Sequence, residues 1–491
     1  MLPGGPVDLN SMRPRESATA GTHSADAADR AYLDGVACER AGRLSEALAH
    51  YRRAVALRPD HAAAYNNIGV LRQQWGETAE AVAAYQRAVE SNPKLGLAWF
   101  NLGNCLREEN RLDEAVACYE RARRLLPADS EIRLNLATTL RDLRRFDEAW
   151  AILAEIPQTS PDRAKAELNR ALIHLLRGDL ARGWDAYDSR HKIAPTAESW
   201  GAPRWDGAPL SGRSIRLLSE QGIGDQVMFA SCLPDLLATA GPTFVECDAR
   251  LVPLYARSFP HVTAIPKTTA ETALPSVGDC DVVDSIGSLP RFLRRRIEDF
   301  PTRAGYLRAD PERCSHWRSS LGRSGSALKV GLSWHGGKDA ETRRRRSVAL
   351  ELWGPILQVP GVRFFNIQYG AAAAEAVRGG RDFQIPLDDG SDCDPLQDLD
   401  DFAAKLSALD LILTVDNSTG HLAAALGKPV WTLLPFAADW RWMLDRETTP
   451  WYPTMRLLRC RAADQWSELL HRTARRLTSA VFTRELLPSA A

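Results

Sequence analysis

The sequence predicts an α-helical repeat array followed by an α/β region built on parallel sheets, and three observations carry that prediction. Residues in the N-terminal third recur at a fixed step of 34 positions. Residues 409–434 read as a buried strand, a polar turn, an Ala- and Leu-rich helix closed by Gly427 and a second buried strand, a succession that demands a parallel pair. Residues 214–237 begin in the same way, with an apolar strand, a glycine turn and a helix. At 491 residues the chain has room for roughly two to four domains, and 45% hydrophobic content suffices for ordinary cores.

Residues 1–28 are rich in Pro, Gly, Ser and Thr and lack the apolar core of a secretion signal, so they read as a disordered leader whose function is not legible. No apolar run reaches the length of a membrane span. With 62 basic and 62 acidic residues the formal net charge is zero. That balance argues against a nucleic-acid binder, whose affinity comes largely from neutralising phosphates. The nine cysteines are scattered singly without a C-x-x-C pair, the pattern of reduced core thiols in a cytoplasmic protein.

Over residues 29–195, Gly35, Gly69, Gly103 and Ala137 share one phase of the repeat, as do Ala47, Ala81, Ala115 and Ala149. Tyr51, Tyr85 and Tyr119 keep another, and Pro59, Pro93 and Pro127 close three units. This is the tetratricopeptide (TPR) period, with small residues where two antiparallel helices approach. About five repeats are expected. The fourth is degenerate, with Leu153 in place of the tyrosine, and Trp184 and Tyr187 are expected to cap the stack. The concave groove of such a solenoid is the customary place for a peptide or protein partner. Asn66, Asn67, Asn101, Asn104 and Asn135 fall in the first helices of their units, where paired donors and acceptors can hold a peptide backbone. Exposed helix polars are the bland alternative.

A Pro-, Gly- and Ser-rich stretch, residues 195–213, marks a boundary. A strand at 214–219 then meets Glu220-Gln221-Gly222-Ile223-Gly224-Asp225, with a helix expected from Gln226 to Leu237. Gly222 and Gly224 suit a turn that lets a ligand approach. Asp225 has two readings, a helix N-cap or a carboxylate facing a cleft as general base. Further strands are expected at 243–247 and 281–284, and an exit helix at 306–321. The D-x-D triplets at 279–281 and 392–394 do not follow strands as a metal-nucleotide site would require, so no metal is expected.

In the last part, residues 330–334 read as a buried strand ending in the loop His335-Gly336-Gly337-Lys338, and Arg343, Arg344, Arg345 and Arg346 follow before a helix at 350–357. Four arginines are usually a solvated face, but after a strand-end loop one or two of them, with Lys338, suit phosphate capture. A strand at 362–368 and a helix at 399–406 lead into the stretch at 409–434. There Asp416 to His421 would sit at the carboxyl end of a strand and at a helix N-terminus, a natural anion cradle. Trp440, Trp442, Trp451 and Tyr452 crowd a loop-rich segment beyond it, and an amphipathic helix at 466–477 is expected to pack across the domain junction.

The order of these motifs resembles the bacterial TPR-containing glycosyltransferases of GT-B architecture, which are similar to heptosyltransferases and more distantly to O-linked N-acetylglucosamine transferases. The residues that carry the resemblance are EQGIGDQVMFA (220–230), GLSWHGG with RRRRS (331–347), NIQYG (366–370), VDNSTGHLAAALGKPVW (415–431), and LPFAADWRW with PWYPTMRLLR. The resemblance implies two Rossmann-like domains facing across a cleft, an acceptor domain over 196–320 and a nucleotide-sugar donor domain with a closing helix over 321–491. It matches Asp225 to the catalytic base of heptosyltransferases. It matches Asp416, Asn417, Ser418, Thr419, Gly420 and His421 to the turn around the donor phosphates, with one polar residue more than the family pattern. Gly222, Gly224, Gln226, His335, Lys338 and Arg345 complete the expected donor site.

The implied reaction is metal-independent and needs no cofactor, the nucleotide-sugar being the substrate. A hexosyl, heptosyl or nonulosonyl group would move to Ser or Thr hydroxyls of a protein held by the TPR groove. Flagellin receiving a nonulosonic acid such as pseudaminic acid is the nearest biological picture. No nucleic-acid partner is expected, and a homo-oligomer is compatible with the sequence. The rival readings are a transferase for a lipid-linked or polysaccharide acceptor and a catalytically inactive TPR scaffold.

Overall fold

In each of the first three repeats a tyrosine of the second helix lies against a glycine of the first, which explains why both recur. A Cβ on Gly35, Gly69 or Gly103 would fall 2.6, 2.5 or 2.8 Å from the ring of Tyr51, Tyr85 or Tyr119. In the fourth repeat the smaller Leu153 replaces the tyrosine, Ala137 replaces the glycine, and both are buried. The helix pairs are Gly21–Arg40 with Leu44–Leu57, Ala62–Gln74 with Thr78–Ser91, Gly96–Glu108 with Leu112–Leu125, and Ser130–Asp142 with Phe146–Ala154. The computed structural model describes residues 21–193, 202–267, 280–322, 327–337, 340–370, 387–388 and 393–487. Most of the expected leader therefore lies outside the described residues, and the first helix begins within it at Gly21.

The chain divides into two compact units, Met1–Asn169 and Arg170–Ala491. The helical array was expected to run to residue 195; helices continue as Arg163–Leu176, Leu180–Tyr187 and Arg190–Ile193, and the second unit takes them in from Arg170 on. Trp184, expected to cap the stack, packs inside the second unit. Its ring meets Trp440 and Trp451 edge-on at 5.5 and 6.1 Å, and its Nε1 donates to the Arg294 carbonyl at 2.9 Å. Tyr187 packs on Trp440 at 5.5 Å and its hydroxyl accepts from Gln221 at 2.6 Å.

Two sheets organise the second unit. The first holds β1 (Ile215–Leu218), β2 (Thr243–Cys247), β3 (Val262–Pro266) and β4 (Val282–Ser285) in the order β3-β2-β1-β4, all parallel. The second holds β5 (Leu328–Ser333), β6 (Val362–Asn366), β7 (Leu387–Asp388), β8 (Leu411–Val415), β9 (Val430–Leu434), β10 (Thr448–Thr449) and β11 (Tyr452–Arg459). Its order is β10-β11-β9-β8-β5-β6-β7, parallel except for β10. Each sheet reverses its direction of growth once, between β1 and β4 and between β5 and β8. A crevice at the carboxyl ends of the strands opens at such reversals.

Local differences from the sequence reading have physical causes. The segment 452–459, expected as loop, forms an eight-residue strand against β9, with its proline at the second position, near the strand start. The exit helix is shorter, Pro311–Ser320, capped by Asp310, whose carboxylate accepts from the N–H groups of Glu312 and Arg313. The last helix, Trp466–Thr483, does not cross a junction. Leu469, Leu470, Ala474, Leu477 and Ala480 join the core of the second sheet with Val330, Trp353, Leu413 and Trp431. Among the described residues no helix is long and apolar enough to cross a membrane.

Candidate functional site

The loop after β5 is shaped by one glutamine. Gln368 Oε1 accepts from Ser333 Oγ and from the N–H groups of Trp334 and His335, at 2.9 to 3.0 Å. Asn417 then ties β5 to β8. Its Nδ2 donates to Ser333 Oγ (2.8 Å) and the His335 carbonyl (2.9 Å), and its Oδ1 accepts from Thr414 Oγ1 (2.9 Å) and the Gly420 N–H (3.2 Å). All its hydrogen-bonding capacity is used inside the protein. Asn417, expected at the donor, is thus the N-cap of helix Ser418–Ala425. Gly336 is needed for close approach, since a Cβ there would fall 2.4 Å from the Asp416 carbonyl.

At the N-terminus of that helix Ser418 Oγ pairs with Tyr369 OH at 2.8 Å. Thr419 is 1% exposed, and its hydroxyl finds no hydrogen-bond partner among the described residues. His421 stacks on Trp442 (5.0 Å between centroids) and shares a 2.9 Å hydrogen bond between Nδ1 and Tyr452 OH. Burial holds its pKa down at about 3, with nearby Arg441 acting in the same direction, so the ring is neutral. Gly420 is buried, its absent side chain leaving room for Thr414 Cγ2, which a Cβ would meet at 3.1 Å.

A chain of alternating charges crosses from this sheet to the first. Asp416, 2% exposed, faces Arg346 Nη1 at 3.3 Å, and Arg346 Nη2 donates to Asp439 Oδ2 at 3.0 Å. Asp439 Oδ1 accepts from Arg441 Nη1 at 2.5 Å and from the Arg441 backbone N–H at 3.1 Å. Arg441 Nε donates to Asp225 Oδ1 at 2.7 Å, its Nη2 also reaches that oxygen, and the same Nη2 donates to Gln221 Oε1 at 2.9 Å. Burial raises the Asp416 carboxyl above the usual range against the pull of Arg346. Burial would do the same to Asp439, but Arg441 and Arg346 on either side hold it well below that range.

Asp225 itself is not an N-cap. The helix spans Ile223–Phe229, starting before the expected Gln226, so Asp225 stands in its first turn and reaches back to the Gly222 N–H at 3.3 Å. Gly224 packs directly on the second sheet's helix, where a Cβ would lie 3.0 Å from His421 Cδ2 and 3.5 Å from Ser418 Cα. The two strand-end helices therefore meet at their N-termini, with Gly224, next to Asp225, against His421 and Ser418.

Other expected residues stand elsewhere. Gln226 is buried and accepts from the Asp248 N–H at 2.8 Å, bracing β2. Arg345 pairs with Glu341 one turn back at 3.9 Å, whereas its neighbour Arg346 enters the site. Lys338 lies outside the described residues. Asp281 of the first D-x-D accepts from the Ser214 N–H and hydroxyl at 2.7 and 2.8 Å, while Asp279 and Asp392 lie outside the described residues.

Sequence reasoning missed Arg441, Asp439 and the polar end of the first sheet. There Arg190 Nε donates to Glu220 Oε2 at 2.9 Å, and its Nη2 to Glu220 Oε1, Ser285 Oγ and Ser288 Oγ at 2.8 to 3.1 Å. Glu220 opens the EQGIGD motif, the only available signal for this cluster.

In the repeat unit the asparagines form two linked pairs. Asn101 Nδ2 donates to Asn66 Oδ1 and Asn135 Nδ2 to Asn104 Oδ1, both at 3.0 Å. Asn66 and Asn67 are buried, with Asn66 donating to Asn67 and Asn67 to the Tyr51 hydroxyl, so they support the array from inside; Asn101, Asn104 and Asn135 are partly exposed.

Three family models described as tetratricopeptide repeat match residues 30–94, 72–130 and 106–172. Protein FlbA of Caulobacter vibrioides is 35% identical over 333 residues, 65% of this chain and 56% of its own length. The chain thus spans about half the length of that curated relative. The matched length exceeds the first unit, so the similarity extends into the α/β unit. Among solved structures, YrrB, described as a TPR protein with an unusual peptide-binding site, is 22% identical, with 37% of this chain and 95% of that chain covered and a TM-score of 0.33. MamA is 16% identical, with 33% of this chain and 96% of that chain covered and a TM-score of 0.30. The chain thus carries tetratricopeptide repeats within residues 30–172, has an α/β C-terminal region and is similar to FlbA.

Proposed function

We propose that the α/β unit is a GT-B-type glycosyltransferase that moves a sugar from a nucleotide donor to Ser or Thr hydroxyls of a protein recruited by the repeats. The observation that supports this reading most is the meeting of the helices Ile223–Phe229 and Ser418–Ala425, which sets Asp225 of the first sheet against the helix N-terminus of the second. In this reading the donor phosphates lie at the free N–H groups of the first turn after Asn417, with the Thr419 hydroxyl and Arg346 or Arg441 as further donors. The acceptor oxygen attacks the anomeric carbon while Asp225 takes its proton. The bond to the phosphate breaks, and the departing charge is stabilised by those same donors. General base assistance contributes on the order of a hundred- to ten-thousandfold. Asn101, Asn104 and Asn135 are the repeat residues placed to hold an acceptor backbone, flagellin being the first candidate.

One observation favours a second reading, that of a non-catalytic scaffold, because both Asp225 oxygens are already engaged. Thermal unfolding with UDP, GDP, ADP and CMP separates the two. A donor site raises stability by about 2.7 kcal/mol at a hundred times Kd for the matching nucleotide. A scaffold gains nothing from any of them. Removing residues 29–169 tests recruitment, with loss of protein modification and retained nucleotide binding expected. Modification that survives the removal favours a lipid-linked or polysaccharide acceptor.

A further inference from the structure

Arg441 has two working edges. Nη1 and the backbone N–H fix it to Asp439, while Nε and Nη2 form a fork directed at Asp225 and Gln221. A guanidinium fork that fits a carboxylate fits a phosphate equally well. The cluster of Asp416, Arg346, Asp439, Arg441 and Asp225 holds three acids and two bases, so an incoming phosphate finds no arginine without a carboxylate. One acid has to yield its partner. Asp416 is buried against Arg346, and Asp439 is clamped between both arginines. Asp225 ends the chain of charges, with Arg441 as its one guanidinium partner there and 17% of its side chain exposed. Gln221 (φ 60°) and Met443 (φ 50°), close to Asp225 and Arg441 in sequence, have the positive φ that favours glycine.

We infer that Arg441 is a donor-phosphate ligand held in reserve on Asp225, and that phosphate binding draws its Nε/Nη2 fork away and frees the carboxylate to act as base. The inference rests on the nucleotide-sugar reading above and adds an order to it: donor first, acceptor deprotonation second. Asp439 remains the pivot, because Nη1 stays bound while the other edge exchanges partners.

Competition has a signature that simple support does not. Affinities of the full chain for UDP, GDP, ADP, CMP and inorganic pyrophosphate are measured by calorimetry for the wild type, Asp225→Asn, Arg441→Gln and the double variant. Removing the competitor should tighten binding of the matching nucleotide roughly two- to tenfold in Asp225→Asn, in line with the coupling of groups in direct contact. Arg441→Gln should weaken it roughly tenfold, as expected for one charge-assisted contact. In the Arg441→Gln background the Asp225→Asn gain should vanish, whereas a general gain from removing negative charge would persist and overturn the proposal. Equal or weaker binding by Asp225→Asn overturns it as well, and this arm decides alone if Arg441→Gln does not fold. Binding of no probe by any variant would sink the nucleotide-sugar reading itself; binding without tightening sinks only the exchange of partners.

Discussion

Replacing Asp439 by Asn perturbs the centre of the charge chain while preserving its shape. The carboxylate receives three hydrogen bonds, two from Arg441 on Oδ1 and one from Arg346 on Oδ2. An amide keeps one oxygen, so if that oxygen serves Arg441 its NH2 group confronts Arg346 Nη2, donor against donor. A charge-assisted hydrogen bond contributes about 1.5–3 kcal/mol, and breaking a buried pair costs about 3–5 kcal/mol. Arg346 and Arg441 retain Asp416 and Asp225, and Arg346 is 26% exposed, which places the expected loss at the lower end, about 2–3 kcal/mol. Urea unfolding followed by tryptophan fluorescence reads this loss as a lower midpoint at unchanged slope, with Trp440 and Trp442 beside the substitution. The acid limb adds a sign. The native pKa of Asp439 lies below its unfolded value, so its contribution is present above the usual carboxylate range and fades as pH falls through the native value. Wild type and variant should therefore converge in acid. A loss under about 0.5 kcal/mol at neutral pH, the scale of an ordinary surface substitution, would refute the reasoning, as would a pH-independent difference.

Three other substitutions probe the meeting of the two helices. Thr419→Val removes a buried hydroxyl that has no partner among the described residues, so stability without nucleotide should hold or rise by up to about 1 kcal/mol while nucleotide-dependent stabilisation shrinks. Calorimetric titration and thermal melts together check it, and a clear destabilisation without nucleotide contradicts it. Gly224→Val drives two methyls toward His421 and Ser418 and should cost about 1–3 kcal/mol by overpacking, read in the same urea assay. His421 stays neutral in the native state down to about pH 3, whereas an unfolded histidine takes up a proton below about 6.5. Wild-type stability should therefore fall with pH across that window by up to about 1.4 kcal/mol per unit, and His421→Asn should flatten the slope between pH 6.5 and 4.

Features that depend on neighbours in sequence were legible. The repeat step showed through because each tyrosine needs its glycine, and the turn at 416–421 showed through because a cap, a strand end and a helix start are written within six residues. The charge chain was not legible, because Asp225 and Arg441 meet across 216 positions of sequence. Nor could four adjacent arginines be told apart until helix Ala340–Arg346 set their phase and turned Arg346 toward Asp416 and Asp439. The tryptophans near residue 440 read only as a crowd in a loop-rich segment, whereas Trp440 and Trp451 hold Trp184, and Trp440 also packs on Tyr187. Asn66 and Asn67 look like groove residues by position, yet Asn66 donates to Asn67 and Asn67 to the Tyr51 hydroxyl.

The central claim, that Asp225 deprotonates a protein hydroxyl opposite a sugar donor, is tested most directly by intact-mass measurement of flagellin and other candidate acceptors co-expressed with the wild-type chain or with Asp225→Asn. The account predicts glycosyl mass increments with the wild type and none with a folded, nucleotide-binding Asp225→Asn chain. Equal increments with both would contradict it.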